Sequence, residues 1–425
     1  MNVTEKLDRI ATEPFRLFFP LGIIASMIGV LLWPATFQGW IDYYPLEAHA
    51  RWMVLGFAGS FIVGFLGTAG PRLLGTKPWS VPELVLHSIM ALAMMGSLLF
   101  NLIPTADLLA GLWLLGVLSS LLVRTFFGRE DIPPPGLPLA VLGIAGAGLS
   151  GIALSMGSAL NFSLPTYLFL RLLYFQGLLW LPILAVAPYL LPRFFGRSSP
   201  HSFPESTTIP DGWMRPFIES IVAGLLLIAS FALEAWRPGP FGMILRSVVV
   251  ALHLTRSVPG LVAWSKVNAL GLAVRWVLPC AVGGWLLAVV FPPLRIGMLH
   301  LMFIGSAGLL MLAVASRVIL GHHDRHDRLA SPLKWFHWVW GLLIFTAATR
   351  LTSDFVLEVR ITHFIYAAIL WVLILAFWSW KIRRELKQPP FEEGVIKSRC
   401  PRRRQAATRS GKAGHPTAPE KGISR

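Results

Sequence analysis

Four histidines of this chain lie in or beside long apolar segments. His49, His300 and His363 each begin such a segment, and His253 lies inside another. A histidine within a membrane is costly and usually marks an ion path, a proton relay or a cofactor site. Neutral imidazole binds both iron and copper. The spacing of these residues therefore predicts a haem or metal site built by histidines from different segments.

The composition is that of an integral membrane protein. The chain has 425 residues, of which 55% are hydrophobic and 14% charged, whereas soluble domains carry about 25% charged residues. Only helices satisfy every backbone group within lipid over segments of about 20 residues. We therefore predict an all-α polytopic membrane protein with about twelve transmembrane helices in one bundle. The apolar segments are centred near residues 26, 60, 93, 116, 147, 180, 225, 251, 281, 308, 341 and 371.

Three regions follow from this pattern. Residues 1–15 are predicted to form a cytoplasmic N-terminus without a cleavable signal, and residues 16–383 the bundle. Residues 384–425 are predicted to be a basic disordered tail, since they are rich in Arg, Pro, Gly and Ser without apolar periodicity. The tail accounts for much of the net charge of +16, so we expect contact with lipid head groups and no nucleic-acid partner.

The distribution of positive charge predicts the orientation. With both termini on one side of the membrane, that side carries 30 of the 37 Lys and Arg residues and the opposite side carries 7. Cytoplasmic loops are enriched in Lys and Arg. Both termini are therefore predicted to be cytoplasmic, which places His49, His300 and His363 near the outer face.

Two segments combine histidine with residues that suit a cofactor. His49 and Met53 lie one turn apart on the same helical stripe, so an imidazole and a thioether could serve a haem or copper centre. In the tenth segment, His300 lies near one end, and Arg317 and His322 mark the other. His300 and His322 would be separated by roughly 33 Å along one helix. We therefore expect two centres, or one centre and a separate inner cluster.

Three separated segments carry distinctive motifs. The second segment has His49, Ala50, Met53, Gly56, Phe57 and GFLGTAGP at 64–71. Farther along are Ala251–Leu254 and, in the tenth segment, the stretch from His300 to SRVILGH at 316–322. In this order, the three segments resemble the first signature, an internal leucine-histidine helix and the second signature of the NnrS family, bacterial membrane proteins linked to nitric oxide.

The resemblance implies a cofactor and its ligands. NnrS proteins are understood to carry haem and copper and to be associated with denitrification and nitrosative stress. Carried over by position, the resemblance nominates His49, His253, His300 and His322 as metal ligands, and it nominates Met53 and Arg317 as cofactor-binding residues.

One departure from the first signature bears on the choice of metal. Arg51 and Trp52 stand where the signature has a histidine and a glutamate. The change removes a family ligand and affects copper more than haem. Arg51 is instead predicted to pair with a haem propionate.

The leading hypothesis is a haem-containing membrane protein of the bacterial inner membrane, with copper as a second candidate metal and nitric oxide or another small diatomic as its ligand. Whether it catalyses a reaction stays open. Few carboxylates, chiefly Glu83 and Glu219, are expected in the spans, which counts against a proton-driven carrier. The alternatives are a metal-free secondary transporter that uses the histidines for substrate or protons, and a passive assembly factor.

Overall fold

The structure is a computed structural model that describes residues 2–263 and 265–389 of the chain. Within these residues the secondary structure is helical and contains no strand. A helix is present at each of the twelve predicted positions, and ten of these helices are long and apolar enough to cross a membrane. The all-α membrane-helical class is confirmed, whereas the count of twelve spans is not.

The two remaining helices differ from the ten in length or polarity. Phe241–Ser257 has 17 residues and contains Arg246 and His253. Phe336–Phe355 has 20 residues and carries Arg350 and Asp354 in its last turns. The predicted basic tail lies outside the described residues from position 390 onward.

The helices are α1 Val3–Thr12, α2 Phe15–Phe37, α3 Leu46–Leu73, α4 Val81–Leu99, α5 Ile103–Phe127, α6 Leu137–Ser155, α7 Leu164–Phe195, α8 Met214–Trp236, α9 Phe241–Ser257, α10 Ala269–Val290, α11 Pro292–His322, α12 Phe336–Phe355 and α13 Arg360–Lys387.

Several helices begin at a polar cap that the sequence supplies. Ser80 accepts a hydrogen bond from the backbone N–H of Glu83, whose carboxylate accepts one from the N–H of Ser80 in return. Ser163 and Asn268 cap α7 and α10 in the same way with one side-chain oxygen each. Such caps satisfy N–H groups that have no partner within the helix.

The helices pack in an order that repeats after every four. In the units α2–α5, α6–α9 and α10–α13, the first helix packs on the second and the third on the fourth. The fourth helix of each unit packs on the first helix of the next, and α13 packs on α2, which closes a ring.

The second helix of each unit lies at the centre of this ring. The apolar windows of α3, α7 and α11 are 83%, 61% and 78% buried, against at most 50% in the other seven candidate spans. We call α3, α7 and α11 the central helices. Their side chains surround a small apolar cavity on the axis of the bundle, lined by Phe61 of α3, Ile183 of α7 and Leu310 of α11.

Each central helix contains a π-helical stretch in its first half. These stretches are Trp52–Gly59, Leu173–Gly177 and Leu301–Gly308. π-helical turns rotate the following side chains relative to an ordinary α-helix and are frequent at functional sites. The three stretches lie toward the end of the bundle where α3, α7 and α11 begin, which we call the His49 end. The opposite end, where these helices finish, is the His322 end.

Two groups of buried ion pairs lie at the His49 end. Asp107 of α5 accepts hydrogen bonds of 2.7 Å from Nε and 2.7 Å from Nη2 of Arg51, and a third of 2.9 Å from the Tyr174 hydroxyl. Arg246 donates to Glu234 and to Gln176 in a second such group. A buried charge is tolerated when it is paired and hydrogen-bonded.

The expectation about carboxylates is corrected by these pairs. Asp107 and Glu234 are buried at the His49 end, with 2% and 7% of their surface exposed, and Glu385 of α13 is buried at the other end, with 8% exposed. Glu83 and Glu219 are more exposed, and Glu83 caps a helix while Glu219 pairs with Arg215. The carboxylates inside the bundle were missed because their arginine partners are distant in sequence or lie on another helix.

Candidate metal centre

His49 and His300 face each other across a cavity at the His49 end. His49 lies in the first turns of α3 and His300 lies just before the π-helical stretch of α11. Their ring centres are 6.5 Å apart and their ring planes differ by 18°. The structure therefore brings together two of the four predicted metal ligands, which come from two different central helices.

Each of the two rings is held by one nitrogen. Nδ1 of His49 donates to the carbonyl oxygen of Gly29 at 2.9 Å, and Nδ1 of His300 donates to that of Ile296 at 2.7 Å. No described residue hydrogen-bonds to either Nε2. Ligating histidines almost always donate their second nitrogen to a carbonyl or a carboxylate, which fixes the tautomer and the orientation of the ring. Both side chains are thus prepared as Nε2 ligands.

The two rings are near each other in the same cavity. Their centres are 6.5 Å apart, and a metal–nitrogen bond is about 2.0 Å long. His49 and His300 would therefore be the residues that hold a metal bound in this cavity.

The cavity between the two histidines has a volume of about 270 Å³. Its walls come from α2, α3, α7, α11, α12 and α13, and they are mainly apolar. Aromatic side chains form one side, with Trp33 packed edge-on against His49 at 5.8 Å and against Phe364 at 4.9 Å. Small side chains leave room for a flat group along the walls: Ala50, Ala58, Ala307, Gly308, Ala367 and Ala368.

Met53 also lines this cavity, one turn from His49 as the sequence predicts. His363 does not line it. Its Nδ1 donates to the carbonyl oxygen of Thr349 on the neighbouring helix at 3.2 Å. A close approach of α2 to α3 shapes the wall beside Met53. The nearest atom to a Cβ built on Gly29 would be Cβ of Trp52 at 2.6 Å, and Sδ of Met53 would lie at 3.3 Å.

Arg51 lies outside the cavity lining. Its guanidinium is engaged by Asp107 and by Glu47, which accepts from Nη1 at 2.6 Å. The contacts of Arg51 therefore do not support its predicted role with a haem propionate. Two other arginines, Arg171 and Arg350, line the cavity and were not singled out from the sequence.

His253 lies away from both of these histidines. It is on α9, outside the lining of the cavity, and its Nε2 is 3.2 Å from the carbonyl oxygen of Leu184. The buried His201, in the loop before α8, is close enough for the charge of His253 to lower its pKa. Burial is the larger cause, and the pKa of His201 falls to about 4. The structure does not join His253 to the His49–His300 pair.

His322 is at the opposite end of α11, and both of its nitrogens have protein partners. Nδ1 lies 2.7 Å from Oε1 of Glu13, and Nη1 of Arg72 lies 3.2 Å from Nε2. Although burial raises the pKa of Glu13, hydrogen bonds from His322 and Arg16 hold that pKa below its usual value. These contacts favour a structural role for His322 and do not provide a free ligand atom.

Arg317 lines a second cavity, of about 300 Å³, at the His322 end. Arg72 and Arg193 line the same cavity. The two ends of α11 thus border two different cavities, as the distance along the helix predicts.

The described part of the chain contains no group of three or more His, Cys, Asp or Glu side chains that could hold a metal ion by themselves. The His49–His300 arrangement has two imidazoles. It therefore suits a metal that brings further ligands with it, as the iron of haem does.

The comparisons with known proteins bear on the whole bundle. A search of curated proteins finds no match to this chain. The family model described as NnrS protein matches residues 9–389, from α1 past the end of α13, and the chain belongs to the NnrS family.

Proposed function

We propose that this NnrS-family membrane protein binds one haem between His49 and His300. The observation that carries the proposal is the pair of imidazoles 6.5 Å apart, each with Nδ1 anchored on a carbonyl and Nε2 without a protein partner among the described residues. Haem would bring four nitrogen ligands for its iron. His49 and His300, on two different central helices, would supply the ligands from the protein.

The walls of the cavity support a flat apolar ligand. Ala58 and Gly308 add little bulk to the lining, while Trp33, Phe57 and Trp371 supply aromatic surface. Ring stacking and apolar burial contribute most of the affinity for such a ligand. An apolar environment also limits the access of water to the metal.

The two arginines of the cavity supply charge for the propionate groups. Arg350 pairs with Asp354 at 3.1 Å and packs over the ring of Phe364 at 4.2 Å. Arg171 donates to Glu47 and to the hydroxyl of Tyr167. A guanidinium has five donors, so each arginine keeps capacity for a carboxylate in addition to these partners.

When bound, haem would supply reversible one-electron chemistry and affinity for small diatomic molecules. The residues of the chain would hold the iron, fix the tautomer of each histidine and exclude water. The assignment of nitric oxide as the ligand, and of a role in nitrosative stress in the bacterial inner membrane, rests on the resemblance of the signatures and on membership of the family.

Copper bound at the same place is the second candidate. Met53 and Met311 line the cavity together with the two histidines, and thioether and imidazole are ligands that suit copper in its lower oxidation state. The loss of the signature histidine at Arg51 weighs against it. Metal analysis separates the two candidates directly.

The first experiment is an optical spectrum and a metal analysis of the detergent-purified protein. The variants are H49A and H300A, and H363A is the matched control because His363 does not line the cavity. We expect a Soret band with stoichiometric iron that is lost or shifted in H49A and H300A and unchanged in H363A. Copper without iron would support the second candidate.

Neither iron nor copper in a folded preparation would refute both metal proposals. Saturable solute uptake into vesicles by such a protein would then favour a secondary transporter. A stably co-purified membrane partner, with function retained after substitution of the four histidines, would favour an assembly factor.

A further inference from the structure

The cavity at the His322 end is a converging cluster of positive charge. Arg72 of α3, Arg193 of α7 and Arg317 of α11 all line it, so each central helix contributes one arginine near its end. His322, His326 and Tyr189 complete its polar lining. The lining contains no Asp or Glu among the described residues.

Two of the three arginines have no acidic partner in the described part of the chain. Arg317 packs over the ring of Phe194 at 5.1 Å, and Arg193 over that of Tyr189 at 4.8 Å. Neither forms an ion pair or a side-chain hydrogen bond with a described residue. Both guanidinium groups border the same cavity, and like charges repel each other. Arg72 is different, since it donates to Glu13.

An ordinary explanation exists for arginine at these positions. Cations near the C-terminus of a helix are favoured by its dipole, and cytoplasmic helix ends are rich in Lys and Arg. That explanation predicts side chains that spread into solvent or toward lipid head groups. Arg72 and Arg193 are exposed, as that explanation predicts. It does not account for Arg317, which is half-buried, has no acidic neighbour among the described residues and borders the same cavity as the other two. Their convergence costs repulsion that an anion would remove.

We propose that this cavity binds a phosphate group. The planar guanidinium donates two parallel hydrogen bonds to a phosphate, and such charge-assisted pairs are among the stronger polar contacts in proteins. The phosphate is that of free inorganic phosphate or that of an anionic phospholipid head group. Basic pockets between transmembrane helices at the cytoplasmic side are known places for such head groups. The site lies at the opposite end of α11 from His300 and does not depend on the proposed haem.

The test uses the full-length protein, purified in a non-ionic detergent and freed of bound lipid. The midpoint of thermal unfolding is measured against increasing inorganic phosphate at constant ionic strength, with chloride as the balancing anion. A parallel series uses phosphatidylglycerol against phosphatidylcholine in mixed micelles. The variants are R317Q and R193Q. The control is R215Q, since Arg215 is 86% exposed and pairs only with Glu219 among the contacts described.

We expect a saturable rise in the unfolding midpoint and binding at least about 10-fold weaker in R317Q and R193Q. R215Q should bind as the unchanged protein does. A response to inorganic phosphate identifies a free anion as the ligand, and a response to phosphatidylglycerol alone identifies a lipid head group. Both results support the site.

The proposal is overturned if the unchanged protein responds to neither ligand beyond chloride, or if R215Q loses the response as R317Q does. R193Q keeps the test available should R317Q fail to fold, because Arg193 is exposed on the cavity rim and its replacement leaves the core intact. The conservative variant R317K retains the positive charge but not the planar guanidinium that donates two parallel hydrogen bonds. It should bind with intermediate strength.

Discussion

His49 and His300 are on different central helices, yet their ring centres are 6.5 Å apart and their planes are 18° from parallel. This relationship depends on the ring of four-helix units, which brings the beginnings of α3 and α11 to the same end of the bundle. Each histidine is fixed by a carbonyl group, that of Gly29 in one case and that of Ile296 in the other. Together they define the candidate centre.

Replacement of one histidine should open a binding position. If haem binds at the two imidazoles, the H300A protein would retain His49 as a ligand and would lose the second protein ligand. We expect reduced H300A to bind carbon monoxide at least about 10-fold more tightly than the unchanged protein, where His300 competes for the position. Difference spectra measure the binding. Equal affinities in the two proteins would argue against His300 as a ligand, and H363A should behave as the unchanged protein.

A methyl group at Gly29 should disturb the helix contact that supports His49. Its Cβ would meet Cβ of Trp52 at 2.6 Å, an atom close to the backbone that cannot swing away. Overpacking of this kind costs about 1–3 kcal/mol. We expect G29A to unfold at lower temperature and to hold less cofactor.

Gly96 provides the matched control for this substitution. It is a helical glycine of α4, and a Cβ placed on it would have no described atom within 4 Å, so G96A should be neutral or slightly stabilising. Thermal melts of G29A and G96A in detergent compare the two. Equal midpoints would contradict the close contact between α2 and α3.

The Arg51–Asp107 pair should matter for stability more than for the cofactor. Both side chains are buried and joined by two hydrogen bonds of 2.7 Å. Removal of one partner leaves an uncompensated charge and costs about 3–5 kcal/mol. We expect R51M and D107N each to be strongly destabilised, while R51M with D107L recovers part of the loss.

The recovery in the double variant is the distinguishing result, because an additive loss would show that the pair is not coupled. Cofactor content per folded molecule should be unchanged in R51M. A selective loss of haem from a folded R51M protein would restore the role of Arg51 with a propionate.

His201 should make the protein less stable in acid. Burial lowers the pKa of His201 from its usual 6.5 to about 4. Between these values the unfolded chain binds a proton that the folded protein does not. Burial of neutral His201 therefore costs no stability above pH 6.5, and the folded protein loses stability as the pH falls from 6.5 toward 4. Thermal melts at about pH 7.5 and about pH 5 should show a smaller difference in H201Q than in the unchanged protein.

Two charged neighbours of His201 also affect its pKa, and one exposed histidine serves as the control. The charge of His253 lowers the pKa of His201 further and that of Glu219 opposes it. The exposed His337 provides the control, and H337Q should keep the full dependence on pH. An H201Q protein with unchanged dependence would refute the assignment to His201.

Hydrophobicity and charge in the sequence were sufficient for the all-α membrane class and for the positions of the helices. These features are local, because an apolar run of about 20 residues satisfies its own backbone as a helix whatever its neighbours are. The same holds for His49 and Met53 on one helical stripe, which follows from the periodicity of a single helix. Family signatures are also strings of neighbouring residues, and the match over residues 9–389 agrees with them.

Contacts between helices were decided by the tertiary structure. No local pattern connects the residues that meet in the fold. His49 lies beside His300, Arg51 binds Asp107, and Arg317 borders the same cavity as Arg193. Membrane helices choose their neighbours through the fit of small side chains and through interhelical hydrogen bonds, and these emerge only when the helices are packed. Sequence alone thus named the ligand types, and the packing of four-helix units determined which of them meet.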